Sequence, residues 1–92
     1  MITIKGRKTS GNVMKVLWLL EELSIPYTQE DVGGKHGGNK EQEYLRKNPT
    51  GLVPTLVDGQ MTLWESNTIV RYLAKNIVLV IFTLNLLRML LY

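Results

Sequence analysis

The sequence predicts one small α/β domain, in which a mixed four-stranded sheet is covered by helices in the order β-α-β-α-β-β-α. Residues 2–5 alternate between apolar and polar side chains, which is typical of a strand. Apolar residues recur at helical spacing across residues 12–24. An Asp58-Gly59 turn separates two short apolar runs and predicts a β-hairpin. The length of 92 residues allows one domain, and a composition that is 45% hydrophobic and 21% charged is typical of globular proteins.

The first half of the chain predicts a right-handed βαβ unit. The helix at residues 12–24 has an apolar stripe wide enough to need a second partner besides the sheet; its members are Val13, Met14, Val16, Leu17, Trp18, Leu19 and Leu20. Pro26 ends this helix, and residues 27–32 predict a second strand that is parallel to the first. We assign both tryptophans, Trp18 and Trp64, to packing.

The second half predicts a short helix, the hairpin and a final helix. The glycine-rich loop "GGKHGGNK" at residues 33–40 precedes a helix at 41–47. Strands follow at residues 54–57 and 61–64. The last helix is expected from about Ser66 to Asn76, with four apolar side chains turned inward: Ile69, Val70, Leu73 and Ala74.

Composition argues against several classes of function. The chain has no cysteine, which removes disulfides and cysteine-based metal or redox sites, and His36 is its one histidine, so we expect no metal site. The net charge of +3 comes from scattered basic residues, which is a poor pattern for nucleic-acid binding. No signal peptide is visible, because Lys5, Arg7 and Lys8 interrupt the first ten residues. We therefore expect a cytoplasmic protein.

The strongest motifs lie in residues 1–76. The run "NPTGLVPTLVDGQMTLWESNTIVRYLA" strongly resembles the glutathione-binding half of soluble glutathione transferases. The run "GRKTSGNVMKVLWLLEELSIPY" is similar to the first strand, loop and helix of their bacterial, theta-like members of the serine type. The resemblance implies a thioredoxin-like fold for residues 1–76. It also implies a domain that binds glutathione as co-substrate, with no other cofactor, and that stabilises its thiolate for attack on an electrophilic small molecule.

The resemblance places the glutathione-binding residues in the second half of the chain. It implies a cis bond at Val53-Pro54, which would leave the Val53 backbone free to pair with the cysteinyl unit; the residues alone favour a trans proline that starts an edge strand. Ser66 is expected as the N-cap of the last helix, where it and the helix N–H groups suit the γ-glutamyl carboxylate. Glu65 suits the ammonium group. The alternative is an ordinary capped helix with an acidic first turn.

Ser10 is the catalytic candidate, since a hydroxyl between the first strand and helix can donate to a thiolate. Asn12 is the second candidate and Thr9 the third; the alternative for Ser10 is a simple N-cap. Lys40, with Lys35 and His36, is a candidate for the glycine carboxylate of glutathione, although a solvated basic loop is the commoner explanation for each of the three.

Residues 77–92 depart from the family pattern. Glutathione transferases continue into an all-helical domain that supplies most of the electrophile pocket and much of the homodimer contact, and this chain instead has an apolar tail. One back-translation of residues 75–91 gives, in a shifted frame, a polar linker like that of the family, so the tail is either frameshift-derived or a native terminal helix. A membrane anchor is a third possibility and ranks last. A membrane span needs about 20 apolar residues, whereas this run has 16 residues and contains Arg88. The chain is thus expected to be a truncated enzyme, a non-catalytic glutathione-binding or interaction module, or an inactive fragment.

Overall fold

A computed structural model of the protein describes residues 1–91, apart from the side chains of residues 77–82 and 91. The element order is the predicted one, and the thioredoxin-like α/β fold is confirmed. All predicted boundaries lie within two residues of the observed ones, except the end of the last helix. The elements are β1 Ile2–Lys5, α1 Gly11–Glu22, β2 Tyr27–Glu30, α2 Gln42–Lys47, β3 Thr55–Asp58, β4 Met61–Trp64 and α3 Ser66–Leu91.

The four strands form one mixed sheet in the order β2-β1-β3-β4. β1 pairs with β2 in parallel and with β3 antiparallel, and β3 pairs with β4 antiparallel. Ile4 lies opposite Leu56, and the next pair, Lys5 opposite Thr55, points to the other face. This alternation decides which helix covers each face.

The hydrophobic core lies between one face of the sheet and helices α1 and α3. Its fully or nearly fully buried members are Ile4, Val13, Val16, Leu20, Leu56, Ile69 and Leu73. On the opposite face, Thr55 is buried and donates a hydrogen bond to the hydroxyl of Tyr44 in α2. The short helix α2 therefore covers the face that α1 and α3 leave open.

Helix α3 is longer than predicted, since it continues beyond Asn76 to Leu91. Residues 66–91 contain neither glycine nor proline, so nothing local ends the helix where the composition changes. Ala74, predicted to face inward, is exposed. Five large apolar side chains near the end of α3 are also exposed: Leu84, Leu86, Leu87, Met89 and Leu90. Among the described residues, no helix combines the length and apolarity needed to cross a membrane.

The prediction that both tryptophans serve packing is wrong for Trp18. Its side chain is 64% exposed, on the part of α1 that also exposes Met14. Val13, Val16 and Leu20 of α1 are buried in the core, and Leu17 and Leu19 pack against it. Met14 and Trp18 are therefore the part of the predicted stripe that stays exposed.

Candidate functional site

A cleft of about 120 Å³ lies where the segment from residue 48 to 54 meets the start of α1 and the start of α3. It brings together five of the seven predicted site residues, while Ser10 and Lys40 lie outside its lining. Two larger hollows elsewhere contain none of the seven. The cleft is lined by Asn12, Asn48, Thr50, Leu52, Val53, Pro54, Trp64, Glu65 and Ser66.

A buried hydrogen-bond network around Asn48 fixes the segment that carries Val53 and Pro54. The Asn48 amide group donates to the Leu52 carbonyl at 2.9 Å and to the Thr55 hydroxyl at 3.0 Å. Its oxygen accepts from the Thr50 N–H at 3.0 Å and from the Thr50 hydroxyl at 2.6 Å. Tyr44 completes the network by donating to the Leu52 carbonyl at 2.5 Å. All four hydrogen-bonding positions of the Asn48 side chain are therefore used, which makes the segment rigid.

Val53 presents its backbone to the cleft with no partner of its own. The Val53-Pro54 bond is cis, as the family resemblance implied. The Val53 side chain packs inward: a β-carbon at Gly6 would lie 3.2 Å from Val53 Cβ, and one at Gly33 would lie 3.3 Å from Val53 Cγ1. The N–H and C=O of Val53 form no hydrogen bond with any described residue. They remain available to an extended ligand.

The N-cap of α3 is Glu65, and the prediction that Ser66 caps this helix is wrong. Glu65 has φ of 74°, and its Oε2 accepts from the N–H of Thr68 at 3.0 Å and from the Thr68 hydroxyl at 3.3 Å. Ser66 is the first helical residue and is buried. The backbone N–H groups of Ser66 and Asn67 have no hydrogen-bond partner among the described residues, so the positive end of α3 opens into the cleft.

Ser10 and Asn12 stand at the start of α1. Ser10 is the N-cap residue, but its side chain forms no capping hydrogen bond; its carbonyl accepts from the N–H of Met14 at 2.8 Å. The half-buried hydroxyl of Ser10 is therefore not used by the helix. Asn12 Oδ1 accepts from the Ser66 hydroxyl at 3.3 Å, which ties the starts of α1 and α3 together. Which of Thr9, Ser10 and Asn12 would contact a thiolate stays a prediction.

Lys40 lies beside the cleft rather than within it. Its Nζ would be 2.8 Å from a β-carbon at Gly51, whose φ of 69° suits glycine. Asn39 donates to the Gly51 carbonyl at 2.8 Å and so anchors the glycine-rich loop to the segment that leads to Val53. Lys40 is exposed and forms no ion pair with a described residue.

The loop before Lys40 contains a short 3-10 turn, Gly34–His36, and two more candidate cations. A hydrogen bond from Gln29 lowers the pKa of Asp31, and the charges of His36, Lys8 and Lys35 lower it further. Asp31 is therefore a carboxylate of the chain itself that lies within reach of the charges of Lys35 and His36. Among the described side chains, no cluster of histidine and acidic residues could hold a metal ion.

Sequence reasoning missed the residues that support the site. Tyr44, Asn48 and Thr55 are buried polar residues, and single buried polar residues leave no periodic signal in a sequence. The one available signal for Asn48 is its place in "NPTG", where an asparagine followed by Pro and Thr is typical of a side-chain-stabilised turn. Trp64 was assigned to packing, but it lines the cleft and is 36% exposed.

Comparisons with known proteins show which family residues 7–75 match. The family described as "Glutathione S-transferase, N-terminal domain" matches residues 7–75. "Glutathione S-transferase GstB" of Escherichia coli is 54% identical over 76 residues, which cover 80% of this chain and 36% of that protein. "Glutathione S-transferase 2" of Schizosaccharomyces pombe is 44% identical over 75 residues, which cover 78% of this chain and 33% of that protein.

A solved structure of a glutathione S-transferase also has a similar fold. The theta class glutathione S-transferase of Xanthomonas axonopodis pv. citri, with glutathione bound, superposes with a TM-score of 0.80 at 55% identity. The match covers 84% of this chain and 37% of that one. The chain thus spans about a third of the length of the relatives it matches.

Proposed function

This chain belongs to the glutathione S-transferase family, and on that premise we propose that residues 1–76 form a domain that binds glutathione and stabilises its thiolate. The observation that carries the proposal is the cleft beside Val53, where an unpaired backbone edge and an open helix start face the same small space. The known relative with glutathione bound has the same fold over 84% of this chain.

The unpaired backbone of Val53 suits the middle of the tripeptide. An extended peptide can add to an exposed edge through main-chain hydrogen bonds, and Val53 offers one donor and one acceptor for the cysteinyl unit. Because the Asn48 network and the packing against Gly6 and Gly33 hold Val53 in place, the edge is organised before the ligand arrives. Pre-organisation lowers the ordering cost of binding.

The start of α3 suits the γ-glutamyl end of the tripeptide. The free N–H groups of Ser66 and Asn67, together with the helix dipole, favour a carboxylate. Glu65 uses Oε2 to cap the helix, and its Oε1 takes part in no hydrogen bond or ion pair with a described residue. One carboxylate can therefore cap α3 and also accept from the ligand's ammonium group.

Ser10 is proposed as the donor to the thiolate, with Asn12 second. A free thiol has a pKa of about 8.5, and lowering it by one to two units takes roughly 1.4–2.7 kcal/mol. One charge-assisted hydrogen bond contributes about 1.5–3 kcal/mol, which is enough. Lys40 is proposed as a contact for the glycine carboxylate from the rim of the cleft.

A non-catalytic glutathione-binding module is the second candidate, and the size of the cleft favours it for the chain as given. Pockets that enclose drug-sized ligands measure about 300–1,000 Å³, whereas this cleft measures about 120 Å³ and is a groove for one side of a peptide rather than an enclosure for a second substrate. In this proposal, the longer relatives conjugate an electrophile, form a homodimer and have the complete catalytic pocket. We also propose residues 1–76 as the binding unit, with residues 77–92 as an addition that is a terminal helix or a frameshift product.

Calorimetric titration of the 92-residue chain with glutathione tests the proposal. We expect binding, and we expect Ser10→Ala to keep most of the affinity while the ultraviolet absorbance of the bound thiolate moves to higher pH by about one unit or more. Thr9→Ala and Asn12→Ala are matched controls for the choice of donor. No binding by the unaltered chain would reject the proposed function, and an unchanged thiol pKa in Ser10→Ala would reject Ser10 as the donor. Conjugation of an aryl halide then separates an enzyme from a binding module.

A further inference from the structure

We propose that two copies of this chain pair through the second half of α3, and that this half of each helix covers the exposed face of α1 in the partner copy. The overhang is defined as residues 77–91, the part of α3 that follows Asn76. The family match ends at residue 75, so the overhang lies outside the matched domain. The pairing holds whether or not the cleft binds glutathione.

The overhang extends past the domain because α1 and α3 start at the same edge of the sheet and differ in length. β1 and β4 run in the same direction, since β3 is antiparallel to both. The Ser66 hydroxyl donates to Asn12 Oδ1 at 3.3 Å. Lys15 donates to Asn67 Oδ1 at 2.8 Å, which also ties the two helix starts together. α1 ends at Glu22 after 12 residues, whereas α3 runs for 26. The chain accordingly measures 55 Å along its longest axis and 24 Å along the next.

The described side chains of the overhang are exposed and mostly apolar. Residues 83–90 are all exposed. At about 100° per residue, their apolar members span an arc of about 220° that is interrupted by Thr83, while Asn85 and Arg88 share the remaining face. A helix that lies on one surface needs an apolar stripe of only about 100°, so this arc is wide enough for two neighbouring surfaces. Its members are Leu84, Leu86, Leu87, Met89 and Leu90.

A second copy of the chain supplies both surfaces. α1 exposes Met14 at 54% and Trp18 at 64%. The overhang does not fold back onto its own α1, because residues 66–91 contain no glycine or proline at which the helix would turn. In a two-fold pair, with the two α3 helices antiparallel and crossing near their middle, each overhang lies beside the partner's α1 and α3. Its length of about 22 Å matches the length of α1, about 18 Å.

The area of the overhang is sufficient for a stable dimer. Residues 77–82 are apolar throughout, so the apolar part of the overhang covers its whole length. A helix about 22 Å long and about 10–12 Å across offers roughly 450 Å² over an arc of about 220°. Two overhangs and the surfaces that they cover therefore bury roughly 1,200–1,800 Å² in total, and stable protein interfaces bury about 1,200–2,000 Å². Trp18 is well suited to the covered surface, because an aromatic side chain buries about 150–250 Å².

A membrane surface matches the overhang less well than a second copy does. Helices that lie in the membrane interface are rich in lysine and arginine on their polar face. Arg88 is the one basic residue of residues 77–91. A two-fold pair needs no basic face, and it covers the apolar arc on both sides.

Sedimentation velocity of the 92-residue chain over a range of micromolar concentrations tests the pairing. We expect an equilibrium between monomer and dimer. Combining Leu84→Gln with Leu87→Gln should raise the dissociation constant at least about 100-fold, and Trp18→Gln should raise it about tenfold. Arg88→Gln is the matched control on the polar face and should change it less than about twofold. All four side chains are exposed in the single chain, so the variants should fold, and urea unfolding of the monomers checks this.

Trp18 also reports directly on the proposed contact. The chain has two tryptophans, so Trp64→Phe leaves Trp18 as the single emitter. Its fluorescence should move to shorter wavelength as the concentration of dimer rises, because the indole ring leaves water. An emission that stays constant while the dimer forms would overturn the contact with α1.

The remaining outcomes each decide against the pairing. A monomer at every concentration overturns it, and so does a dimer that survives the double substitution in the overhang. A dimer that is sensitive to the overhang but not to Trp18→Gln would place the overhang on another surface. Growth into open-ended oligomers would show a head-to-tail contact instead of a two-fold one. A chain that stays monomeric but binds vesicles of phosphatidylcholine and phosphatidylserine would show that a membrane surface is the occupant.

Discussion

Replacing Asn48 with alanine should destabilise the domain by about 3 kcal/mol. The two hydrogen bonds that Asn48 donates are to buried or half-buried acceptors, the Leu52 carbonyl and the Thr55 hydroxyl, and each contributes about 1–1.5 kcal/mol. The two that it accepts come from Thr50, which is exposed and can bind water instead, so each contributes about 0.5 kcal/mol. Tyr44 still binds Leu52 and Thr55 in the variant, which limits the loss.

Urea denaturation followed by circular dichroism measures this loss. With a slope of about 1–1.5 kcal/mol/M for a small domain, the midpoint should fall by about 2–3 M. Asn67→Ala is the matched control, because Asn67 is exposed and accepts one hydrogen bond from Lys15; its effect should stay within about 0.5 kcal/mol. Glutathione affinity should also fall in Asn48→Ala, since the segment that carries Val53 is loosened. A loss of less than about 1 kcal/mol would show that the network does not hold this segment, and the reasoning would be refuted.

Two further predictions test the packing and the electrostatics. Gly6→Ala should destabilise the domain by about 1–3 kcal/mol, because the new β-carbon would lie 2.5 Å from Val13 Cγ2 in a buried place. Gly11→Ala is the control, since a β-carbon there meets nothing within 4 Å. Equal stability of the two variants in urea would contradict the packing argument. The hydrogen bond from the Tyr27 hydroxyl to Glu21, at 2.8 Å, is the main cause that raises the pKa of Tyr27 above 10.0. The stability from this bond is therefore present below that pH and is lost as pH rises through the raised pKa. Glu21→Gln should lower the apparent pKa of one tyrosine in a spectrophotometric titration, and an unchanged titration would show that the bond is not formed in solution.

The exposed part of α3 is the clearest difference between expectation and structure. Composition suggested a break after Asn76, where polar residues give way to an apolar run. Backbone geometry depends on helix propensity and on breakers rather than on polarity, and this run contains no breaker, so the helix continues. Four leucines near its end are about half exposed or more, and the origin of residues 77–92 stays a proposal.

The candidate site could be predicted in part. The positions of Val53, Pro54, Glu65 and Ser66 followed from motifs that resemble a family, and the structure places all four on one cleft. The capping role of Glu65 did not follow, because Ser is the usual N-cap and a positive φ at a glutamate is uncommon. Whether Glu65 or Ser66 caps α3 depends on the direction in which the chain leaves β4, and that direction is set by the sheet.

The sequence by itself determined the order and type of the secondary structure elements, because the periods of strands and helices are local properties of neighbouring residues. Only the tertiary structure decided which polar side chains meet. Asn12 with Ser66 and Lys15 with Asn67 are brought together by the folding of the sheet, and contacts between residues far apart in the chain leave no periodic mark in it.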